Sequence, residues 1–471
     1  MSHPETKSVK AGLSRRDFLR STALAGAGLV LAPTILGAEE KAAGKELNIA
    51  FVGVGTEGQI LLQNALKIPG LKFIGVCDIW PYNQGRAVRL LKKYKHEAKG
   101  YADYQEMLDT EKALDAVIIA TPDWVHAPST IAALKAGKHV YCEKEMSNSL
   151  EQAKAMVTAA KETKRLLQIG HQRRSNPRYH AALDLITKKK CCGNVTYVEA
   201  QWNRAKRLEV GWPKDSELDE AALKKYGYDT MARFRNGRWY KKYAGGPIAD
   251  LGSHQIDIFN WFLGASPRAV MANGGVDNYE GIEWYDNISA IYEWNVDRGG
   301  KTKVVRGFYK VISTSSSGGY GETFLGDEGS LTISENDKQG GIRREQEAPM
   351  ADWEKAMAAA APKAAEPAKE AEPKKEADAK KEGDDKKEAD LEVKAHTGFS
   401  PGRYYPAITV PGFAKSEHLP HIENFVAAIR DGVPLTCPGE VGYDTAVTVL
   451  RVNEAAEAQK RLEFKPEEFK A

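Results

Sequence analysis

The first third of the chain alternates short, wholly apolar runs with segments in which apolar residues recur at helical spacing. Apolar runs of this length, bounded by glycine or polar residues, predict buried parallel strands. The predicted strands are Leu47–Val52, Lys72–Cys77, Ala116–Ala120, His139–Cys142 and Leu166–Ile169. Helical spacing predicts helices at Gly85–Tyr94, His126–Ala136 and Leu150–Thr163. This alternation predicts an α/β fold, with a doubly wound parallel sheet over residues 46–170 and ligands at the carboxyl ends of its strands.

The pattern changes in the rest of the chain, and residues 171–465 are predicted to form a second, α+β domain. Asp250–Phe262 has helical spacing, and strands dominate after about residue 265, as in Ala290–Trp294. Residues 355–392 consist mainly of Ala, Lys, Asp and Glu and contain no aromatic residue. Such a composition cannot bury enough apolar area to offset its ordering entropy. It predicts a disordered, solvated insertion in the second domain, in which transient helical structure can form, with a spacer for cell-envelope interactions as the alternative.

The sequence GVGTEG follows the first predicted strand directly and leads into a helical pattern. Gly53 permits a tight turn, Gly55 lets the backbone approach a pyrophosphate, and Gly58 lets the helix pack closely on the strand. Thr56 and Glu57 lie in the same loop, where the helix N-terminus faces the phosphate charge. The loop therefore predicts a dinucleotide site.

Asp78 ends the second predicted strand, at the place where the adenosine ribose lies in dinucleotide-binding sheets. A carboxylate there accepts hydrogen bonds from the ribose hydroxyls and repels a 2′-phosphate. The sequence therefore predicts NAD as the cofactor in preference to NADP.

Polar residues also follow two other predicted strands at the same edge of the sheet. Thr121 and Pro122 follow Ala116–Ala120, and Glu143 and Lys144 follow His139–Cys142. Together with His126 in the next helix, they are predicted to contact the cofactor near its nicotinamide.

The N-terminus has the pattern of an export signal. Ser14–Arg20 contains paired arginines followed by Phe-Leu, and it precedes a weakly apolar, Gly/Ala-rich stretch, Ser21–Gly37. This is typical of a twin-arginine signal peptide, here residues 1–40, and it predicts export to the periplasm or cell envelope. Ala38 is a candidate last residue of the signal. A basic N-terminal helix and an uncleaved membrane anchor are the alternatives.

Composition excludes several other classes of function. The 471 residues carry a formal net charge of +3, so no basic excess indicates nucleic-acid binding. Five cysteines without a C-x-x-C pair predict neither a disulfide framework nor a thiolate zinc site. His254 and Asp257 alone are too few ligands, so no metal site is predicted.

Several motifs together resemble the glucose–fructose oxidoreductase/inositol dehydrogenase/rhizopine catabolism family over residues 46–335 and 415–465. The matching stretches are Ala50–Gly58, Cys77-Asp78, Tyr101–Tyr104, Asp115–Pro122 with His126, Ala136–Val140 leading into Glu143-Lys144, Gly245–His254 and, more weakly, Gly326–Leu331 and Asn424–Arg430. The resemblance implies a large open, mostly antiparallel sheet in the second domain, covering the nicotinamide. It also implies a homo-oligomer.

The resemblance further implies an active-site Glu-Lys-Pro motif and an Asp-x-x-x-His pair. Lys144 matches the lysine, Asp250 and His254 match the pair, and Glu145 replaces the proline. Oxidising a sugar hydroxyl needs a base for its proton and a group that stabilises the developing alkoxide. His254 is predicted as the base, Lys144 as the electrostatic partner, and Asp250 as the carboxylate that orients the imidazole and favours its charged form. Without the resemblance, a helix-start aspartate and a core histidine explain the spacing as well.

Arg173 and Arg174 follow the Leu166–Ile169 strand. They are predicted either to meet an anionic substrate or cofactor phosphate, or to be solvated at the surface.

The predicted function is a nicotinamide-dependent oxidoreductase of a sugar, polyol or glycoside, with a tightly bound cofactor recycled in each turnover. One alternative is glycoside cleavage by transient oxidation, elimination and hydration, with NAD regenerated. The other is an inactive cofactor-binding protein of the envelope. The predicted partner is a small carbohydrate, and no stable membrane partner is expected unless the signal remains uncleaved.

Overall fold

The computed structural model describes residues 45–206, 209–336, 339–360, 402–406 and 416–471. The predicted signal, residues 1–40, lies outside the described residues, as does the larger part of the predicted insertion, residues 361–392. The described residues form two sheets with helices packed around them.

The first sheet is parallel throughout and has the strand order β3-β2-β1-β4-β5-β6. Its strands are β1 Leu47–Val52, β2 Leu71–Cys77, β3 Lys99–Tyr101, β4 Ala116–Ile119, β5 His139–Cys142 and β6 Leu167–Ile169. The helices that follow them are α1 Thr56–Ala65, α2 Pro81–Lys93, α3 Tyr104–Thr110, α4 Asp123–Lys135, α5 Leu150–Thr163 and α6 Pro177–Thr187. The strand order reverses between β1 and β4, which is the point where dinucleotides bind in sheets of this type.

The second sheet has nine strands in the order β14-β13-β12-β11-β7-β10-β9-β8-β15. Neighbouring strands are antiparallel except β7 and β10, which are parallel. The strands are β7 Val195–Asn203, β8 Pro267–Gly275, β9 Asn287–Asp297, β10 Thr302–Ile312, β11 Tyr320–Gly326, β12 Gly329–Ile333, β13 Gly340–Arg344, β14 Tyr404–Pro406 and β15 Leu462–Glu463.

The helices of the second part of the chain lie between and beside the two sheets. They are α7 Glu220–Lys225, α8 Met231–Arg235, α9 Ser253–Leu263, α10 Asp352–Ala360, α11 Leu419–Asp431 and α12 Gly439–Ala458. A π-helical turn, Ile248–Gly252, leads into α9. Helix α9 covers the inner face of the second sheet, where Phe259 packs edge-on against Trp294 and Phe324.

The C-terminal helices connect the second sheet to the first. Helix α11 buries Ile422 and Phe425 in the core beneath the first sheet. The Ile169 N–H donates to the carbonyl oxygen of Cys437 at 2.9 Å, and the Gln168 side chain donates to the carbonyl of His421 at 2.8 Å. The edge strand β6 is therefore held by residues far along the chain, and the two sheets share one buried core.

The predicted fold class is confirmed, and several predicted element bounds differ from those observed. Strand β3 and helix α3 were not predicted, because each is too short to show a clear apolar period. Helix α4 begins at Asp123, three residues before the predicted start at His126, with Pro122 at its N-cap. Helix α10 includes residues 355–360, so the beginning of the predicted disordered insertion is helical.

Among the described residues, we find no helix with the length and apolar content needed to cross a membrane.

Candidate active site

The glycine loop between β1 and α1 has the shape that a dinucleotide requires. Gly53 has a φ of 83°, and a Cβ there would lie 2.6 Å from the carbonyl oxygen of Ala120. A Cβ on Gly58 would clash with the carbonyl of Gly53, so α1 can pack closely on the turn because this residue is glycine. At Gly55, by contrast, the nearest atom to a Cβ would be Asn83 Nδ2 at 3.9 Å. The backbone at Gly55 is therefore open to the pyrophosphate of a cofactor.

Asp78 is held in a fixed orientation at the end of β2. Its carboxylate accepts hydrogen bonds from the backbone N–H groups of Val54 at 2.9 Å and Trp80 at 2.8 Å. These bonds leave acceptor capacity on Oδ1 for a ribose hydroxyl. Burial raises the pKa of Asp78 to about 6, against the lowering effect of the two N–H groups. The group is still charged at neutral pH, which fits a site for an unphosphorylated ribose.

The residues after β4 connect the two domains beside the glycine loop. The hydroxyl of Thr121 is buried and has no hydrogen-bond partner among the described residues, as expected of a group that contacts a cofactor. Pro122 then caps α4 with an extended backbone. The Asp123 carboxylate, in the first turn of α4, accepts the N–H of Gly245 at 3.0 Å. This bond joins the end of β4 to the segment that leads into α9.

His126 supports the neighbouring loop through one ring nitrogen, and its other nitrogen, Nε2, is buried without a hydrogen-bond partner among the described residues. Its Nδ1 lies 2.7 Å from the carbonyl oxygen of Glu145, so Nδ1 carries the proton and donates. Burial lowers the pKa of His126, which keeps the ring neutral. The effect is to fix the backbone just after Lys144.

The loop after β5 carries three ionisable side chains in sequence. Glu143 accepts hydrogen bonds from the hydroxyl of Tyr141 at 3.1 Å and from the backbone N–H of Lys144, and burial raises its pKa to about 7. The Lys144–Glu145 peptide bond is cis. Glu145 accepts the N–H of Met146 at 2.8 Å through Oε1, and burial raises its pKa to about 8. At neutral pH, the residue that replaces proline is therefore mainly an uncharged carboxylic acid.

Lys144 and Asp250 meet across the boundary between the two domains. The Lys144 ammonium donates to the backbone carbonyl of Asp250 at 2.7 Å and lies 3.6 Å from its Oδ1. The same carboxylate accepts a hydrogen bond from Arg238 at 2.9 Å, and Arg204 lies 3.8 Å away. Asp250 therefore positions the lysine, whereas the sequence predicted that it orients the histidine.

His254 lies one turn further along, at the start of α9, and is buried. Its Nδ1 has no hydrogen-bond partner in the part of the chain that the structure describes. Burial, followed by the charges of Lys144 and Arg173, holds its pKa well below the ordinary value. The expectation that a carboxylate favours the charged imidazole is therefore wrong. A neutral imidazole is the form that accepts a proton.

A segment that was not predicted as part of the site crosses the ends of β2 and β4. We call residues 209–243 the clasp. Its Phe234 packs edge-on against Trp80, with ring centroids 5.8 Å apart, and Trp80 is 1% exposed. Its Tyr228 and Tyr243 pack on Trp124 at 5.6 and 5.5 Å. Trp80 and Trp124 both follow strands of the first sheet, so the clasp covers the edge where the cofactor groove lies.

Charged groups also gather at the start of α1. Glu57 points toward His418, which precedes α11, and Nε2 of His418 lies 3.1 Å from Glu57 Oε1. Burial opposes the charged form of His418, but the hydrogen bond and charge of Glu57 raise its pKa to about 9. The pair ties the glycine loop to the C-terminal helices.

Arg173 and Arg174 have neither of the two predicted roles. Arg173 is 1% exposed and forms ion pairs with Glu322 and Glu335, while Arg174 binds Asp257 through its Nε and Nη2. Both arginines follow β6, and their charges are satisfied by acidic residues of the second domain. Asp257 is therefore the partner of an arginine. Among the described residues, no group of three or more His, Cys, Asp or Glu side chains is arranged to hold a metal ion.

Sequence reasoning missed three contributors: Arg204, Arg238 and the clasp. The density of Trp and Tyr in residues 202–243 is the available signal for the clasp. Neither arginine lies in a recognisable motif. Each approaches Asp250 only because of how the second domain folds, so its sequence position gives no signal.

Two family models match the chain. The model described as "Oxidoreductase family, NAD-binding Rossmann fold" matches residues 47–171, and its companion, "Oxidoreductase family, C-terminal alpha/beta domain", matches residues 193–464. Residues 47–171 therefore form an NAD-binding Rossmann domain of this family.

Curated relatives match part of the chain. An inositol 2-dehydrogenase of Salmonella typhimurium is 36% identical over 142 residues, which are 30% of this chain and 41% of the relative. A glycosyl hydrolase family 109 protein of Parabacteroides distasonis is 29% identical over 293 residues, which are 55% of this chain and 62% of the relative. The match thus spans less than two thirds of the length of these curated relatives.

Among solved structures, an aldose-aldose oxidoreductase of Caulobacter crescentus superimposes with a TM-score of 0.60 at 17% identity. That superposition covers 89% of this chain and 100% of the other. At this identity the likeness shows the shared fold.

Proposed function

The chain belongs to the glucose–fructose oxidoreductase/inositol dehydrogenase/rhizopine catabolism family of oxidoreductases, and from this we propose that it is an NAD-dependent oxidoreductase of a sugar, polyol or glycoside. The observation that carries the proposal is the contact between Lys144 and Asp250, one helical turn before His254, beside a sheet whose glycine loop and Asp78 fit NAD. Bound NAD would supply the acceptor for a hydride. The sugar and polyol names of the relatives support the substrate class.

Four side chains of this protein have separate roles in the proposed reaction. His254, held neutral by burial, accepts the proton of the substrate hydroxyl. Lys144 places a positive charge where the oxygen develops negative charge. Asp250 holds the lysine ammonium through its backbone carbonyl and its carboxylate, so it is a positioning residue. His126 fixes the loop that carries the lysine.

The cofactor remains bound between turnovers in this proposal. The clasp closes aromatic side chains over the residues that follow β2 and β4, which opposes dissociation. Retention also fits the predicted twin-arginine export of a folded protein, because no soluble nicotinamide pool is expected outside the cytoplasmic membrane. The periplasm or cell envelope is accordingly the proposed location. A reaction that returns the cofactor to its starting state then needs no external nicotinamide.

Redox-neutral glycoside cleavage is the second candidate function. The relative from Parabacteroides distasonis carries a glycosyl hydrolase name, and a retained cofactor suits a reaction that oxidises and then re-reduces the same sugar. An inactive cofactor-binding protein is the third candidate, and it is favoured only by the replacement of the motif proline by Glu145. A homo-oligomer is proposed from the family resemblance alone.

The first experiment is to purify the protein from the cytoplasm, dialyse it exhaustively and identify the bound dinucleotide by mass spectrometry. The dialysed protein is then assayed without added NAD, on sugars and on chromogenic glycosides. Oxidation of one sugar coupled to reduction of another supports the oxidoreductase, and release of the chromogen supports cleavage. Complete loss of the cofactor, with activity restored only by stoichiometric NAD, would refute retention. Retained NAD without either activity would support the inactive protein.

A further inference from the structure

Arg235, the last residue of helix α8, lies beside the place where β2 ends. Its guanidinium carbon is 4.8 Å from the ring centroid of Trp80. The backbone N–H of Trp80 donates to the carboxylate of Asp78 at 2.8 Å, so Arg235 stands over a residue that helps to fix Asp78. The clasp therefore brings a cation of the second domain to the adenosine ribose subsite, which is otherwise built from the first domain.

The guanidinium of Arg235 is held in place by packing and by one hydrogen bond. Its Nε donates to the carbonyl oxygen of Gly211 at 3.2 Å. The adjacent Phe234 packs edge-on against the same indole ring, at 5.8 Å. That ring is itself fixed, because Trp80 is 1% exposed and its Nε1 donates to the carbonyl of Ser216. The direction of Arg235 is therefore set by an anchored aromatic surface.

Arg235 still has donors for a ligand. A guanidinium carries five N–H groups in a planar fork. The bond to Gly211 uses Nε, and within the described part of the chain neither terminal nitrogen has a hydrogen-bond acceptor. The residue is only partly buried, so these terminal donors are accessible to a bound molecule.

Two ionisable groups act on the charge of Arg235. Burial lowers the pKa of Arg235, and the charges of Asp78 and then Tyr82 oppose this change. Burial likewise raises the pKa of Asp78, and the charge of Arg235 is among the effects that lower it. A second cation, Arg86, is exposed and lies 5.6 Å from the ring centroid of Tyr82. Arg235 and Asp78 thus attract each other without forming a direct ion pair, so a gap separates the two groups.

A sugar hydroxyl suits the gap between these two groups. The carboxylate of Asp78 accepts two backbone N–H groups and has acceptor capacity left on Oδ1. A hydroxyl can donate to this carboxylate while its oxygen accepts from a guanidinium. The hydroxyls of the adenosine ribose are the groups expected at the end of the second strand of a dinucleotide-binding sheet. Asp78 and Arg235 therefore offer an acceptor and a donor to the same part of the cofactor.

We propose that Arg235 is a cofactor-binding residue supplied by the second domain, which donates to the adenosine ribose hydroxyls opposite Asp78. The inference rests on the proposed function, since it concerns the dinucleotide of that same site. The clasp then holds the cofactor by a hydrogen bond as well as by covering it. Arg235 also offsets part of the repulsion between Asp78 and a 2′-phosphate, because an arginine near the ribose accommodates that group. The preference for NAD over NADP is thus set by both residues.

The test measures how the protein divides itself between NAD and NADP at equilibrium. The NAD-loaded protein is incubated with mixtures of the two in varied proportion until the bound ratio is constant, and the bound dinucleotides are quantified by mass spectrometry. Arg235→Gln should increase the preference for NAD about tenfold, because a guanidinium–phosphate contact is charge-assisted. Loss of packing alone would weaken both cofactors equally and leave the preference unchanged.

A second background separates a contact with the cofactor from an effect on Asp78. In an Asp78→Asn protein, Arg235→Gln should change the preference by at least the same factor, because the arginine acts on the phosphate itself. If Arg235 only shielded the charge of Asp78, its replacement would have no effect once that charge is gone.

Two other arginines serve as comparisons. Arg233→Gln is the matched control, because Arg233 lies on the same helix but pairs with Asp229 and Glu283. We expect it to leave the preference unchanged. Arg86→Gln examines the second cation near this subsite, and a much smaller change than that of Arg235→Gln is expected.

An unchanged preference in Arg235→Gln overturns the role of Arg235, as does an effect that disappears in the Asp78→Asn background or that Arg86→Gln or Arg233→Gln reproduces in full. The two levels of the proposal fail differently. An unchanged preference in a protein whose bound NAD is reduced by a sugar refutes the role of Arg235 and leaves the oxidoreductase standing. The expected change of preference in a protein whose bound NAD no sugar or polyol reduces refutes the oxidoreductase and leaves the role of Arg235 standing.

Discussion

Replacing Phe234 with alanine should open the clasp and speed the loss of bound NAD. The Phe234 ring packs edge-on against Trp80 at 5.8 Å and against Tyr228 at 5.0 Å. Each aromatic pair contributes about 0.5–1.5 kcal/mol beyond the apolar area that it buries. Only the pair with Trp80 joins the clasp to the first domain, so its loss should destabilise the closed clasp by about 1 kcal/mol. If the cofactor leaves only when the clasp opens, its dissociation should be about fivefold faster.

The assay is the exchange of the bound dinucleotide for isotopically labelled NAD. At each time point the free label is removed rapidly and the label that is bound to the protein is measured. Phe469→Ala is the matched control, because Phe469 also belongs to an aromatic pair, with Phe464 at 5.5 Å, but lies near the C-terminus. We expect Phe234→Ala to shorten the retention time and Phe469→Ala to leave it unchanged. An unchanged retention time for Phe234→Ala, or equal shortening in both variants, would show that the clasp does not hold the cofactor.

Three further outcomes are expected. NAD should bind more tightly than NADP. This preference should weaken as the pH falls through about 6, because protonation of Asp78 removes its repulsion of a 2′-phosphate. Tighter binding of NADP at neutral pH would contradict the role of Asp78. Lys144→Ala and His254→Ala should each lower turnover by about 10²–10⁴-fold with NAD still bound, and near-normal turnover of His254→Ala would make that residue structural. The acid limb of the pH profile of kcat/KM should lie below 6.5, since burial lowers the pKa of His254, and a limb above that value would contradict a neutral base.

The first domain could be predicted from the sequence almost strand by strand. Buried parallel strands are continuous apolar runs, and β1 and β5 have the predicted ends because polar residues or glycine bound them on both sides. Gly53 and Asp78 were predictable because their roles depend on local position within a strand–turn–helix unit.

The second domain and the side chains that it contributes to the site were harder to predict from the sequence. The i, i+4 spacing of Asp250 and His254 suggested a contact between them. The carboxylate of Asp250 instead contacts Lys144, which lies far away in the sequence, and Arg238, which belongs to no recognisable motif. The burial of Arg173 depends on two glutamates more than a hundred residues away. Such partners are set by the folding of the second sheet, and sequence periodicity carries no information about them.

The measurement that tests the central claim most directly is a single turnover of the purified, NAD-loaded protein. The bound cofactor is followed by the near-ultraviolet absorbance of reduced nicotinamide while sugars and polyols are added one at a time. The account predicts that at least one sugar reduces the bound cofactor, and that Lys144→Ala and His254→Ala lose this signal while retaining NAD. Reduction at the normal rate in both variants, or no reduction by any sugar or polyol, would contradict it.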